Sequence, residues 1–412
     1  MEKLDALLRG AVADRGDAAC KDKLLGAAFV VTNRRGKHRL HATGVVYSGS
    51  AGRIGFAADS PAFNGDTLTY GASITKLLSA ACLTQLVEQG KMRLDSDVRQ
   101  IVPEVRDMQI LRGFTPKGEP MLEDNDRPIT LKHLMVHTAG LRYDVADPDL
   151  RKWSEYVGRP IGKTIRLSKD GFNTPLLMRP GDGWMYGPAM DWAGVALETV
   201  TGRTLGEYMK QHLLDPLGMH DTGFRVDRLP HTAGRRAQVT LRDVDSGGLS
   251  AFDVAPVEPE LDSAGAGIHT TAHDYARMLR AMLLLQAGSG PGVISGETAR
   301  QDLFAPRLDE RQRAVMEEFL YAPDRRGAFI PGVPDGIGLQ YGLGGLLALG
   351  DVEGQRRRGS LSWSGAANSR WWIDPETGIA GVLMTAVFPF GDEVACRLYT
   401  ELERAVYAEL VK

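Results

Sequence analysis

From residue 77 to 83 the chain reads Leu-Leu-Ser-Ala-Ala-Cys-Leu, apolar on nearly every side of a helix. A surface helix shows one apolar stripe, whereas a helix apolar all round has to be enclosed by other elements. Gly90 is a natural C-terminal stop for it. Whatever this chain folds into must therefore wrap sheet and helix around this segment. Its N-terminal end carries polar chemistry: Ser73 stands just where the helix begins, and Lys76 follows three residues later. Residues at i and i+3 share a helix face, so the Ser73 hydroxyl and the Lys76 amine can meet.

The surrounding elements can be read at both chain ends. Residues 26–31 and 41–47 are β-rich runs about a polar, Gly-containing turn at 33–37, which predicts a hairpin. Strand signals return after about residue 335, at 344–349, 359–363, 370–373 and 379–388, separated by turns at 351–354 and 374–378. A short helix is predicted over 3–15 and a long one over 392–411. Between the ends, residues 91–330 read mostly as helices with long connections. Ala189–Thr201, 205–214 and Ala272–Gln286 carry the helical period, the last introduced by Thr270-Thr271 as an N-cap. These patterns predict an α+β fold: an antiparallel sheet built from both chain ends with flanking helices, plus an inserted, mostly helical domain. The expected division is 1–70 with 335–412 as a discontinuous sheet domain and 71–334 as a helical domain, with the site between them. The Gly-, Pro- and charge-rich segments 104–128 and 225–262, together with 305–336, are expected to cover it.

Composition excludes several classes. The net charge of −3 over 412 residues leaves no domain-scale basic surface, so nucleic acid is not an expected partner. The run Arg356-Arg357-Arg358 is expected to be a solvated strand edge. Cys20, Cys82 and Cys396 are odd in number and far apart, suggesting neither a disulfide framework nor a metal cluster. The N-terminus lacks a signal-peptide core, and no apolar run approaches the ~18 residues of a membrane span. A cytoplasmic protein without metal or cofactor is expected.

A serine is a poor nucleophile at neutral pH unless a base lies within hydrogen-bond reach. A neutral lysine one turn along supplies one, and the helix N-terminus adds backbone N–H groups suited to an oxyanion. An amine or phenol of ordinary pKa, near ~10, is mostly protonated at pH 7, so such a base works only where its surroundings shift it. Ser-x-x-Lys alone is weak, since about one or two such spacings arise by chance in a chain this long. Tyr186, in the Pro/Gly-rich turn 180–188 ahead of a helix, has a plainer account as a packing tyrosine. Trp363-Ser364-Gly365-Ala366 taken alone is a strand end whose glycine permits close approach to the backbone. His133 and His137, and likewise His269 and His273, are spaced i, i+4 as zinc ligands can be. Leu134 and Thr270 stand where a zinc protease has its glutamate, so capping or structural histidines are expected. There is no Gly-x-Ser-x-Gly elbow and no phosphate loop.

Together and in this order, Ser73-Ile74-Thr75-Lys76, Tyr186-Gly187-Pro188 and Trp363-Ser364-Gly365 resemble the serine β-lactamase-like superfamily, which includes class C β-lactamases, DD-peptidases, family VIII carboxylesterases and fungal acyltransferases. The stretches 131–141, 216–219 and 265–268 are similar as well. Trp184-Met185-Tyr186-Gly187, Asp191-Trp192-Ala193-Gly194 and residues 341–345 are most similar to the fungal lovastatin-type acyltransferases. The resemblance implies a β-lactamase/transpeptidase-like fold, with Ser73 as nucleophile and Lys76 and Tyr186 as a coupled base. It also implies backbone N–H groups of Ser73 and Ala366 as the oxyanion hole. Tyr143, Trp363, Ser364 and Gly365 are candidates to line the substrate pocket. Pro188 replaces an asparagine, and Trp363 replaces the lysine that pairs with a lactam's carboxylate, so lactam hydrolysis is disfavoured. The implied reaction moves a short acyl group from a thioester donor, naturally carried on an acyl carrier protein, to a hydroxyl of a small secondary metabolite. A family VIII-type carboxylesterase is the alternative. An acyl-binding sensor without turnover is a third reading, disfavoured because Ser73, Lys76 and Tyr186 are all present.

Overall fold

The computed structural model describes residues 1–17, 19–34, 44–252, 259–290 and 292–411. Its centre is a seven-stranded sheet. The strands are β1 (Gly26–Asn33), β2 (Val45–Gly52), β3 (Leu339–Tyr341), β4 (Leu346–Ala348), β5 (Leu361–Ser364), β6 (Arg370–Asp374) and β7 (Ile379–Met384). Their order is β2-β1-β7-β6-β5-β4-β3, and every neighbour is antiparallel. The two chain ends are joined by β1 against β7, in the register Ala28↔Met384 through Asn33↔Ile379. Both faces of β1 are covered, which is why it reads as a continuous apolar run rather than an alternation.

The principal helices are α1 (Glu2–Ala11), α2 (Thr75–Glu88), α3 (Ala189–Thr201), α4 (Ala272–Gln286), α5 (Glu310–Tyr321), α6 (Pro323–Phe329) and α7 (Glu393–Leu410). On one sheet face, Leu4 and Leu8 of α1 and Leu398, Leu402 and Val406 of α7 pack with Phe29, Val31, Trp372 and Leu383. On the other, α2, α3 and α4 share one apolar core with Val30, Trp371 and Val382. Every residue of α2 from Thr75 to Leu86 is buried, as an all-round apolar helix requires. Local caps set the helix starts. Thr271 accepts a hydrogen bond from the Asp274 N–H at 3.1 Å to open α4, and Asp392 accepts one from Ala395 at 3.0 Å to open α7.

Several expectations change. The first helix ends at Ala11 rather than 15, and three-residue β3 had no sequence signal of its own. The predicted turn at 33–37 and strand start at 41–43 fall largely outside the described residues. Arg356 is not a solvated edge residue. It is 4% exposed and pairs with Glu403 of α7 at 2.8 Å, while Arg358 is exposed. The strand connection folds back onto α7, whose buried carboxylate needs a cation. The three cysteines are buried and free. Among the described residues, no helix is long and apolar enough to cross a membrane.

Candidate active site

Ser73 lies in a single 3-10 turn (Ala72–Ile74) directly ahead of α2. Ala72 is held at φ +47, a left-handed conformation that costs a residue with a Cβ about 1–2 kcal/mol. The turn is tied down on both sides. Gly71 N–H donates to the Ile268 carbonyl at 2.8 Å, Thr75 Oγ1 donates to the Ala72 carbonyl at 2.6 Å, and Tyr275 Oη donates to the Ile74 carbonyl at 2.9 Å. Lys76, 1% exposed, donates from Nζ to Ser73 Oγ at 3.2 Å and to the Gly265 carbonyl at 2.8 Å.

The Gly265 carbonyl is itself positioned by Asp191, which the sequence reading quoted only within a similar stretch and gave no role. Asp191 Oδ1 accepts from Ser263 Oγ at 2.5 Å and from Gly265 N–H at 3.0 Å. Burial pushes its carboxyl up from the ordinary range, and the charge of Lys76 opposes that shift. The available signal was an aspartate within the apolar run from Ala189 to Leu197, where a buried polar group implies a dedicated partner.

Tyr186 is brought to the same place from the loop before α3. Lys76 Nζ stands 4.8 Å from its ring centroid, and Trp363 Nε1 donates to its Oη at 3.3 Å. No hydrogen bond joins Tyr186 Oη to Ser73 or Lys76 among the described residues; side-chain pairs of this kind commonly close up only around substrate. The phenol sits in an aromatic wall. Ring centroids of Trp363, Trp184 and Phe329 lie 5.3, 6.2 and 6.3 Å from it, and Tyr341 lies 5.4 Å from Trp363. Phe329 comes from α6, within the segment 305–336 expected to cover the site. The segment 104–128 forms a hairpin (Gln109–Phe114 with Pro120–Asp124) tied to Leu176. The described part of 225–262 contributes two short strands, Thr240–Arg242 pairing with Val387–Phe388 and Leu249–Ala251 pairing with Thr240–Arg242.

Tyr143 lies beside Tyr186, with ring centroids 6.1 Å apart. Burial, with the neighbouring Tyr186 adding to it, holds the Tyr143 and Tyr341 phenols well above the ordinary range, so both stay protonated donors. His137, fully buried at φ +62, packs 4.7 Å from the Tyr186 ring with neither ring nitrogen hydrogen-bonded. Burial, and then the charge of Lys76, pushes its pKa well below the usual histidine value, so the ring is neutral. His133 caps the helix Leu131–Met135 through Thr130. Among the described residues, no three of His, Cys, Asp and Glu converge as a metal-binding group.

Gly365 has a packing reason beside the one its motif suggested. A Cβ there would collide with the Gly71 carbonyl oxygen, so the strand end packs backbone to backbone on the serine turn. The following turn is fixed by Gly365 N–H to the Ser369 carbonyl at 2.8 Å and by buried Asn368, whose Nδ2 donates to the carbonyls of Val387 and Pro389, both at 2.8 Å. Ala366, in that turn, has no hydrogen-bond partner for its N–H among the described residues. Ser364 is 5% exposed, and no hydrogen bond links it to Ser73, Lys76 or Tyr186.

The fold and this serine–lysine pair define a beta-lactamase-like serine enzyme, and the family model for beta-lactamase matches residues 4–404. The chain belongs to the beta-lactamase family. It is 35% identical to a lovastatin esterase of Penicillium rubens over 83% of this chain and 85% of that protein. It is 31% identical to a monacolin J acid methylbutanoyltransferase of Aspergillus terreus over 85% and 84%. A mutant simvastatin synthase from Aspergillus terreus superposes with a TM-score of 0.87 at 29% identity, over 98% of this chain and 94% of that one. The chain is thus an enzyme, a serine acyltransferase or hydrolase of lovastatin-type kinship.

Proposed function

We propose that Ser73 attacks the carbonyl of a short acyl thioester and that the resulting acyl-enzyme is resolved by a hydroxyl of a small secondary metabolite. The observation that carries this is the Ser73 Oγ–Lys76 Nζ contact of 3.2 Å at the foot of an aromatic wall. Lys76 takes the serine proton along that contact, and the Gly265 carbonyl holds Nζ in place. Tyr186 serves with Lys76 as base and then returns the proton to the leaving group. The Trp363 indole N–H orients the Tyr186 oxygen and stabilises negative charge developing on it during transfer. Backbone N–H groups of Ser73 and Ala366 receive the oxyanion; the packing of Gly365 on Gly71 supports this placement. The site draws Ser73, Lys76 and Tyr186 from segment 71–334 and Trp363 and Ala366 from 335–412, which fits a cleft between the two expected domains.

An aromatic wall with Trp363 where lactamases carry a cation suits an apolar acyl group. Relatives named as methylbutanoyltransferases favour acyl transfer, and an acyl carrier protein is the carrier we propose for the donor. The relative named lovastatin esterase favours hydrolysis as the second reading. A partition experiment decides between them. The enzyme is acylated with a panel of short acyl thioesters, free and carrier-bound, and release is followed with and without candidate alcohols. Slow release in water that one alcohol accelerates means transferase; alcohol-independent release means esterase. Peptide mapping after an activated fluorophosphonate should place the adduct on Ser73 and lose it in Ser73→Ala. No adduct on that peptide in the unmutated enzyme would remove Ser73 from the mechanism.

A further inference from the structure

We propose that Ser48 is a second activated nucleophile, a surface acyl-acceptor site on the outer side of β2 that is separate from Ser73. Ser48 is exposed on β2, and its Oγ lies 2.8 Å from His273 Nε2. The other ring nitrogen, Nδ1, lies 2.7 Å from Asp66 Oδ1. A carboxylate only accepts hydrogen bonds, so Nδ1 carries a ring proton, and in the neutral tautomer that this selects Nε2 offers its lone pair to the Ser48 O–H. That is the order of roles by which an imidazole, oriented by a carboxylate, makes a serine nucleophilic.

The three groups come from separate elements, and each is held independently. His273 sits in the first turn of α4, and its backbone N–H donates to the Gly65 carbonyl at 3.0 Å. A side chain at position 65 would run into the imidazole, so the ring rests directly on bare backbone. Asp66 lies in a tight turn in which Asn64 Oδ1 accepts from the Asp66 N–H at 2.9 Å and the Asn64 carbonyl accepts from Thr67 at 3.0 Å. Arg235 also donates to the Asp66 carbonyl oxygen. Ser48 is fixed by the pairing Val30↔Ser48. Neither Ser48 nor His273 hydrogen-bonds to Ser73, Lys76 or Tyr186 among the described residues.

With an acyl thioester, Ser48 Oγ forms the ester bond to the carbonyl carbon and its proton passes to His273 Nε2. The C–S bond breaks with its electron pair on sulfur, and the thiolate takes that proton. O-acyl-Ser48 and a free thiol result, with no net oxidation or reduction. The open position implies a small activated acyl donor.

The test uses Ser50, exposed on the same strand, as an internal reference. Full-length Ser73→Ala protein is treated with an activated fluorophosphonate, and adducts on Ser48 and Ser50 are quantified by peptide mass spectrometry. General-base assistance predicts at least about 10-fold more adduct on Ser48 than on Ser50. His273→Gln should bring the ratio to parity while leaving Ser73 labelling in an otherwise unmutated enzyme intact. A Ser48 to Ser50 ratio below that, or one that survives His273→Gln, overturns the proposal. Because Ser73 labelling is read on its own peptide, this result and the catalytic reading stand or fall separately.

Discussion

Replacing Gly365 with alanine tests whether the strand end and the serine turn share one rigid geometry. Gly365 is not at a positive φ, so alanine is not strained there by its own backbone. The obstacle is the Gly71 carbonyl oxygen. A Cβ at position 365 would sit well inside 3.0 Å of it, a distance real Cβ atoms essentially never show. The carbonyl belongs to the turn that presents Ser73, and its own N–H is already committed to Ile268 at 2.8 Å, so neither partner is a flexible side-chain tip that can swing away. Restoring contact therefore needs a backbone shift of roughly 1 Å, and displacements of that size at a reacting group cost on the order of 10²-fold in rate. Overpacking adds a stability cost of about 1–3 kcal/mol. Single-turnover acylation with an activated ester, followed by denaturant unfolding, reads both. Gly327→Ala is the control, since nothing lies within 4 Å of its added Cβ in α6, and it should be neutral or mildly stabilising. An acylation rate in Gly365→Ala within about threefold of the parent, where about 10²-fold is expected, would refute the view that this close approach positions the serine.

Further outcomes follow from other contacts. Tyr186→Phe removes the phenol oxygen but keeps the ring wall, and turnover should fall by roughly 10²-fold or more in steady-state assays with a thioester substrate. Arg356→Leu strands the fully buried Glu403 carboxylate and should cost about 3–5 kcal/mol in denaturant titration, much of it recovered in the Arg356→Leu/Glu403→Leu double variant. Glu123 bonds to Arg112 and Arg179, and these hydrogen bonds lower its pKa from 4.5 to about 2. Its contribution is therefore fully present above about pH 4.5 and is lost as pH falls toward 2. Amide protection factors in the 109–124 hairpin, corrected for the intrinsic pH dependence of exchange, should fall over that window, and Glu123→Gln should flatten the dependence.

Much of the fold is written in short-range patterns. The enclosed helix α2, the exact span of α3 at Ala189–Thr201 and the Thr271 start of α4 follow from apolar period and capping chemistry confined to a few residues. So does the meeting of Ser73 with Lys76, because three residues on a helix put two side chains on one face whatever lies beyond. The β-rich runs at the two ends likewise implied one sheet, and β1 against β7 closes it. Tertiary structure decided the rest. The Trp363–Tyr186 hydrogen bond joins residues 177 positions apart, and the Asp191–Gly265–Lys76 chain links three separate segments. Gly365 reads locally as an open strand end until Gly71 packs on it, and Arg356 reads as a surface cation until α7 supplies Glu403. In each case the partner is chosen by strand register and helix packing, not by neighbours in the chain. Local sequence encodes backbone preference and one face of an element; which group meets that face depends on how the whole core closes.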